Sequence, residues 1–160
     1  EEILRRGYSE SLGFFTQALD GQNPDASNLL LPTIGLVDAR DPRFVGTLRA
    51  YEDRLVERGF MLRYRNEDDF GATTSGFTIC SFWWAEALAL AGRLDDAVAV
   101  FDRMLAHSNP LGLFSEDIEP ATGELLGNFP QAYTHVGLIH AAATIGDLLA
   151  ARDGGVRAWT

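Results

Sequence analysis

Two clusters of carboxylates carry the chemistry this sequence could perform. Glu67, Asp68 and Asp69 follow Arg63, Tyr64 and Arg65, and a second group, Glu116, Asp117, Glu119 and Glu124, lies further along. Most acids on a protein surface only solvate it. Glu116 differs because it follows the apolar run Leu111-Gly112-Leu113-Phe114, which would partly desolvate it. Carboxylates that face each other across a cleft lined with arginine and aromatic rings suit the hydrolysis of a glycosidic bond. One protonates the leaving oxygen while the other activates water.

Other chemistries find less support. His135 and His140 are five residues apart, about 140° round a helix, so one metal ion could not use both from a single face. Gly-x-Ser-x-Gly, His-Glu-x-x-His and Gly-x-Gly-x-x-Gly are all missing, and no metal or cofactor is expected. All 13 basic residues are arginine, which removes a P-loop lysine, a Schiff base and a Ser-Lys pair. With 23 acidic residues the net charge is -10, which argues against nucleic acid and anionic membranes as partners. No apolar run approaches the roughly 18 residues of a membrane span. Cys80 is the single cysteine, lies in the most apolar segment and reads as a small buried hydrophobe. One cysteine forms no internal disulfide, and a reducing, cytoplasmic setting is the expectation. The opening Glu1-Glu2-Ile3-Leu4-Arg5-Arg6 lacks the apolar stretch of a signal peptide, and helix-like sequence from residue 1 reads as a piece of a longer polypeptide.

The elements that must hold the two clusters alternate in character. Asp25 to Val37 is apolar nearly all round and reads as a buried helix. Asp41-Pro42 is an N-cap with proline at the first helical position, and Phe44, Leu48, Tyr51 and Leu55 form the apolar stripe of an amphipathic helix. Phe77 to Ala91 carries one charge, Glu86, and reads as buried on most sides. After Gly92-Arg93, Leu94 to His107 is amphipathic again, with Val98, Phe101 and Leu105 opposite Asp95, Asp102 and Arg103. Gln131 to Ile145 is once more apolar almost throughout. This order predicts an all-α fold of inner helices surrounded by outer ones. The long connections 7–24, 58–76 and 108–130 then fall at one end of the array, where long loops build binding sites. A non-catalytic module of helical hairpins is the competing reading, since 87–105 could pass for one tetratricopeptide unit. No second copy appears about 34 residues away.

The residues around Glu116 also resemble a known family. Leu113 to His135, which contains Phe114-Ser115-Glu116-Asp117-Ile118-Glu119-Pro120 and Gly127-Asn128-Phe129-Pro130-Gln131-Ala132, is similar to the C-terminal signature of bacterial glycoside hydrolase family fifteen. That family holds glucoamylases, glucodextranases and a group of trehalases. Arg63-Tyr64 before an acidic stretch, Thr78-Ile79-Cys80-Ser81-Phe82-Trp83, and Asp25-Ala26-Ser27-Asn28-Leu29-Leu30-Leu31-Pro32 resemble further motifs in family order. The resemblance covers roughly residues 7 to 146 and implies that 1–160 is the C-terminal part of an (α/α)6 catalytic domain, about half of the barrel. It implies an inverting mechanism on an α-linked glucoside, trehalose or a malto-oligosaccharide. Glu116 would be the general base, Arg63 would bind sugar hydroxyls, and Tyr64 and Phe77 would line the pocket. The sequence departs from the pattern at Thr73-Thr74-Ser75-Gly76. It also lacks the family's general acid, which belongs to an upstream Trp-Glu motif. Trp83 and Trp84 have no matching loop glutamate, because Glu86 falls inside a buried helix. The chain alone is therefore not expected to be a competent hydrolase. The apolar flanks of 25–37 and 131–145 are expected to be open, for self-association or for the missing N-terminal half.

Overall fold

Leu94 follows a three-residue break, Ala91 to Arg93, after a helix in which every residue from Thr78 to Ala89 is buried, and this contrast organises the molecule. The computed structural model describes residues 1–67 and 71–154. Helix α1 (Glu2–Arg6) leads into a short hairpin, β1 (Tyr8–Ser9) and β2 (Phe14–Phe15). A 3-10 turn at Ala26–Leu30 precedes helix α2 (Pro42–Leu55) and a second hairpin, β3 (Val56–Glu57) and β4 (Phe60–Met61). Strand β5 (Gly76–Phe77) runs into α3 (Thr78–Leu90). Next come α4 (Leu94–Leu105), β6 (Asp117–Ile118), β7 (Leu125–Leu126) and the long α5 (Ala132–Arg152). None of the described helices is long and apolar enough to cross a membrane.

The layering follows from side-chain chemistry. Helix α3 is apolar on every face, so burial on all sides is its lowest-energy placement. It packs against α4, α5 and the 3-10 turn. Helix α2 buries the stripe the sequence predicts: Phe44, Leu48, Tyr51 and Leu55 are all inside, under a cap in which Asp41 accepts the Arg43 N–H at 2.9 Å. In α4 the buried stripe is Ala97, Val100 and Met104, one position away from the expected Val98, Phe101 and Leu105; Leu105 is 41% exposed. Small Ala97 takes the inward face, and Met104 reaches a second apolar cluster with Phe60, Phe82, Phe114 and Ile118. Glu52 ties the layers together. It accepts the Trp84 indole N–H at 3.2 Å and pairs with Arg93 at 2.6 Å.

Two expectations are corrected. The buried helix predicted over 25–37 is only the 3-10 turn followed by irregular turns. Pro32 lacks the N–H that would continue a helix. Gly35, at φ 73°, then ends the segment with the Leu36 N–H bonded to Leu31 O and its own N–H to Pro32 O. The fold is also not purely helical. Besides the two hairpins, β5, β6 and β7 form an antiparallel sheet of three strands, with Phe77 opposite Asp117 and Asp117 opposite Leu126. These strands are two residues long, too short to show the alternation that marks a strand in sequence.

Helix α5 buries only Thr134, Gly137, Ala141 and Ile145. Gly137 lets α5 lie close on α3, since a Cβ there would sit 2.7 Å from Ile79 Cγ1. Its other apolar side is open: Tyr133, Val136 and Ile139 are each about half exposed or more, and Ile34 near the 3-10 turn is 68% exposed. These are the flanks expected to lack cover.

Candidate active site

The three-stranded sheet sets out the site. The Thr78 N–H, at the start of α3, donates to Glu116 O at 2.9 Å, and the Glu116 N–H donates to Asn128 O at 2.9 Å. Residue 116 is thereby held between the end of β5 and the chain leaving β7. The start of α5 braces the same segment. The Gln131 N–H donates to Phe114 O at 3.0 Å, and Thr134 Oγ1 lies 3.3 Å from Ser115 O. Phe114 and Ser115 are buried, so Glu116 emerges from a rigid base.

The Glu116 side chain is held as firmly as its backbone. Its Oε2 accepts the Asn128 Nδ2–H at 2.8 Å and the Asn128 backbone N–H at 3.1 Å. Gly127 makes this possible. Its φ is 73°, and a Cβ on it would stand 2.9 Å from Glu116 Oε2 and 3.0 Å from Glu116 Cβ. Only glycine takes that conformation cheaply and leaves room for the carboxylate.

Arg63, Tyr64, Phe77 and Glu116, the four residues singled out in the sequence, line one open cleft of about 720 Å³. Thr73, Thr74, Ser75, Asp117 and Asn128 complete much of its wall. The Arg63 guanidinium carbon lies 5.6 Å from the Tyr64 ring centre, a cation–π contact that stacks the two on one side. The stretch 73–75, where the sequence departs from the family pattern, is therefore part of the lining.

The remaining acids separate. Asp117 joins Glu116 in the cleft. Burial, followed by the neighbouring Glu116 charge, pushes its carboxyl up to about 6 against a hydrogen bond from Ser75. Glu119 and Glu124 instead build the turn between β6 and β7. Glu119 Oε1 accepts the Ala121 N–H at 3.1 Å, and the Glu124 N–H donates to Thr122 Oγ1 at 3.2 Å. Glu67 is exposed and is not part of the lining, while Asp68 and Asp69 lie outside the described residues.

Sequence reasoning missed Gly127 and Asn128 as supports and Ser75 as a partner of Asp117. Gly-Asn after Leu125-Leu126 is a turn signal, but nothing local says that the turn closes on Glu116. Among the described residues no group of histidine, cysteine and acids could hold a metal ion. His135 is used structurally, with Nδ1 2.7 Å from Gln131 O and Nε2 facing the Phe114 N–H at 3.4 Å. Cys80 is fully buried, and burial pushes its thiol far above the usual range.

Comparison with known proteins agrees with this architecture. A trehalase of Mycolicibacterium smegmatis is 44% identical over 147 residues, which is 90% of this chain and 22% of the relative. A trehalase of Thermoplasma acidophilum is 39% identical over 142 residues, 88% of this chain and 24% of the relative. The chain thus spans about a quarter of the length of these curated relatives. Among solved structures, a wild-type glycosidase superposes with a TM-score of 0.76 at 18% identity, over 91% of this chain and 41% of that one. A variant of a glycosidase in complex with glucose superposes equally well, with a TM-score of 0.76 at 18% identity. The sequence also matches the family described as glycosyl hydrolases family 15 over residues 1–143, and the chain belongs to that family.

Proposed function

We propose that this chain supplies the general-base wall of an inverting α-glucoside hydrolase. The observation that carries the reading is the fixed Glu116 carboxylate in the cleft it shares with Arg63, Tyr64 and Phe77. Its Oε2 is committed to Asn128, so Oε1 takes the proton of a water. The water oxygen bonds to the anomeric carbon as the glycosidic C–O bond breaks, and the leaving oxygen takes a proton from a general acid. Arg63 donates to hydroxyls of the sugar being cleaved, and the Tyr64 and Phe77 rings pack on its apolar face.

The acid must stand roughly 6.5–9.5 Å from the base, on the other side of the bond. Asp117 follows Glu116 directly in the chain and feels its charge, so in this reading it belongs to the base's side of the bond. In this reading the acid comes from elsewhere in a polypeptide as long as the relatives, and the helices complete an (α/α)6 toroid. The open apolar residues Tyr133, Val136, Ile139 and Ile34 support a further layer over α5 and the 3-10 turn, whether from that polypeptide or from a second copy. The trehalase relatives favour trehalose as substrate, with malto-oligosaccharides as the alternative. A reducing, cytoplasmic location accompanies the proposal.

The test is Glu116→Gln in the complete polypeptide, assayed on trehalose and maltose. Loss of the base should lower kcat about 10²–10⁴-fold while glucose still binds. On trehalose the wild type should release one β-glucose, from the sugar that water attacks, for each α-glucose that leaves with its configuration kept, read by proton NMR. Near-full activity of the variant, or release of α-glucose alone from trehalose, would remove Glu116 from this role.

A further inference from the structure

The motif that begins at Asp25 has no part in the chemistry above, yet it meets the site through Arg63. Asp25 is 4% exposed and caps the 3-10 turn, its Oδ1 accepting the Ser27 N–H at 2.9 Å. Its other oxygen, Oδ2, lies 3.6 Å from Arg63 Nε and accepts the Gln17 Nε2–H at 3.3 Å. The backbone repeats the link: the Ala26 N–H donates to Arg63 O at 2.8 Å. Behind Asp25 stands a buried polar network. The Asp25 N–H donates to Tyr51 Oη at 3.2 Å, Asn28 Nδ2 donates to the same oxygen at 2.9 Å, and Tyr51 Oη donates to Phe15 O at 2.6 Å.

We propose that Asp25 is a positioning residue that fixes the Arg63 guanidinium in the wall of the cleft, through a carboxylate anchored in the core; the inference rests on Arg63 binding substrate as proposed above. Arginine carries a flexible stem and loses rotamer freedom wherever it must hold one geometry. A stationary buried carboxylate on its inner side and the Tyr64 ring beside it hold that geometry before substrate arrives, which is where affinity is gained. The 3-10 turn therefore does more than fill the core. It places one carboxylate so that one oxygen closes the turn and the other faces the arginine.

The test uses Asp25→Asn and Asp25→Ser in the complete polypeptide. Both residues cap a turn about as well as aspartate. Asparagine presents an N–H₂ or a neutral oxygen to Arg63, and serine is too short to reach it. Each variant should raise KM for the α-glucoside about tenfold or more with kcat nearly unchanged, as expected when uniform substrate binding is lost. Loss of folded enzyme would instead lower kcat and leave KM alone. In an Arg63→Ala background, Asp25→Asn should add nothing to KM. A wild-type KM in both variants, or an additive effect in that background, would overturn the proposal. A crystal structure of Asp25→Asn separates it from the catalytic reading, because the Arg63 side chain should move whether or not any glucoside is cleaved. An Arg63 that stays in place refutes the positioning role, whereas a wild type inert on every α-glucoside refutes the catalytic reading alone.

Discussion

Replacing Gly127 with alanine puts the support of Glu116 to a direct test. At φ 73° an L-residue costs about 1–2 kcal/mol more than glycine. The added Cβ would also meet Glu116 Oε2 at 2.9 Å and Glu116 Cβ at 3.0 Å, closer than carbon atoms settle. Ordinary contact begins about half an ångström further out, so the carboxylate must swing away from Asn128. The hydrogen bonds at 2.8 and 3.1 Å then stretch or break. Because Asn128 is exposed, water replaces much of what they contributed, and we assign them no more than about 1 kcal/mol. Gly127→Ala should therefore destabilise the chain by about 2–3 kcal/mol, read by urea unfolding followed by circular dichroism. A displacement of that size at a reacting group should lower kcat of the complete polypeptide by about 10–10²-fold. Asn128→Ala separates the two effects, since it removes the side-chain hydrogen bond without straining the backbone. It should lower kcat and cost under about 1 kcal/mol. If Gly127→Ala unfolds at the wild-type urea midpoint and turns over within about twofold of wild type, then neither the strain nor the contact with Glu116 is real.

Two further outcomes follow from the buried polar groups. Folded Asp117 keeps its proton up to a pH of about 6, whereas an unfolded aspartate releases it near 3.9, so the folded chain binds the extra proton between those values. Stability contributed by this group is therefore fully present below about pH 4 and is lost as pH rises through 6, with no further change above. The carboxyl is partly exposed and solvent screening reduces the effect to about 1 kcal/mol. Asp117→Asn should accordingly stabilise the chain by about that amount at neutral pH and not at about pH 3.5, and denaturant titrations at the two pH values will show whether it does. Tyr51→Phe removes the hydroxyl that serves Phe15 O, Asn28 and Asp25, a group whose pKa burial pushes up to about 12. Leaving those partners unpaired should cost about 2–3 kcal/mol, and an unchanged urea midpoint would show that they find other partners.

The residues proposed to act were visible in the sequence because chemistry constrains type and short-range order. Glu116 after an apolar run, Arg63 beside Tyr64, and Phe77 ahead of an apolar helix all reach one cleft. The helices were legible for a similar reason. Period, caps and the absence of charge in 77–91 describe how much of each surface must be buried, and α2 and α3 follow that description closely. Prediction weakened where the outcome depends on partners distant in the chain. Pro32 and Gly35 ended an apolar segment that composition alone extended to Val37. The inward face of α4 shifted by one residue because its neighbours, rather than its own period, chose Ala97, Val100 and Met104. Strands of two residues left no pattern to read, although the sheet they form is what brings Phe77, Glu116 and Asn128 together. Asp117 shows the division most plainly. Its sequence neighbours made it one acid among several, and only desolvation in the folded cleft, beside the Glu116 charge, raised its pKa. Residue type and local period are properties of a few consecutive positions, whereas pairing, desolvation and ion contacts exist only once chain closure has brought residues such as Asp25 and Arg63 into contact.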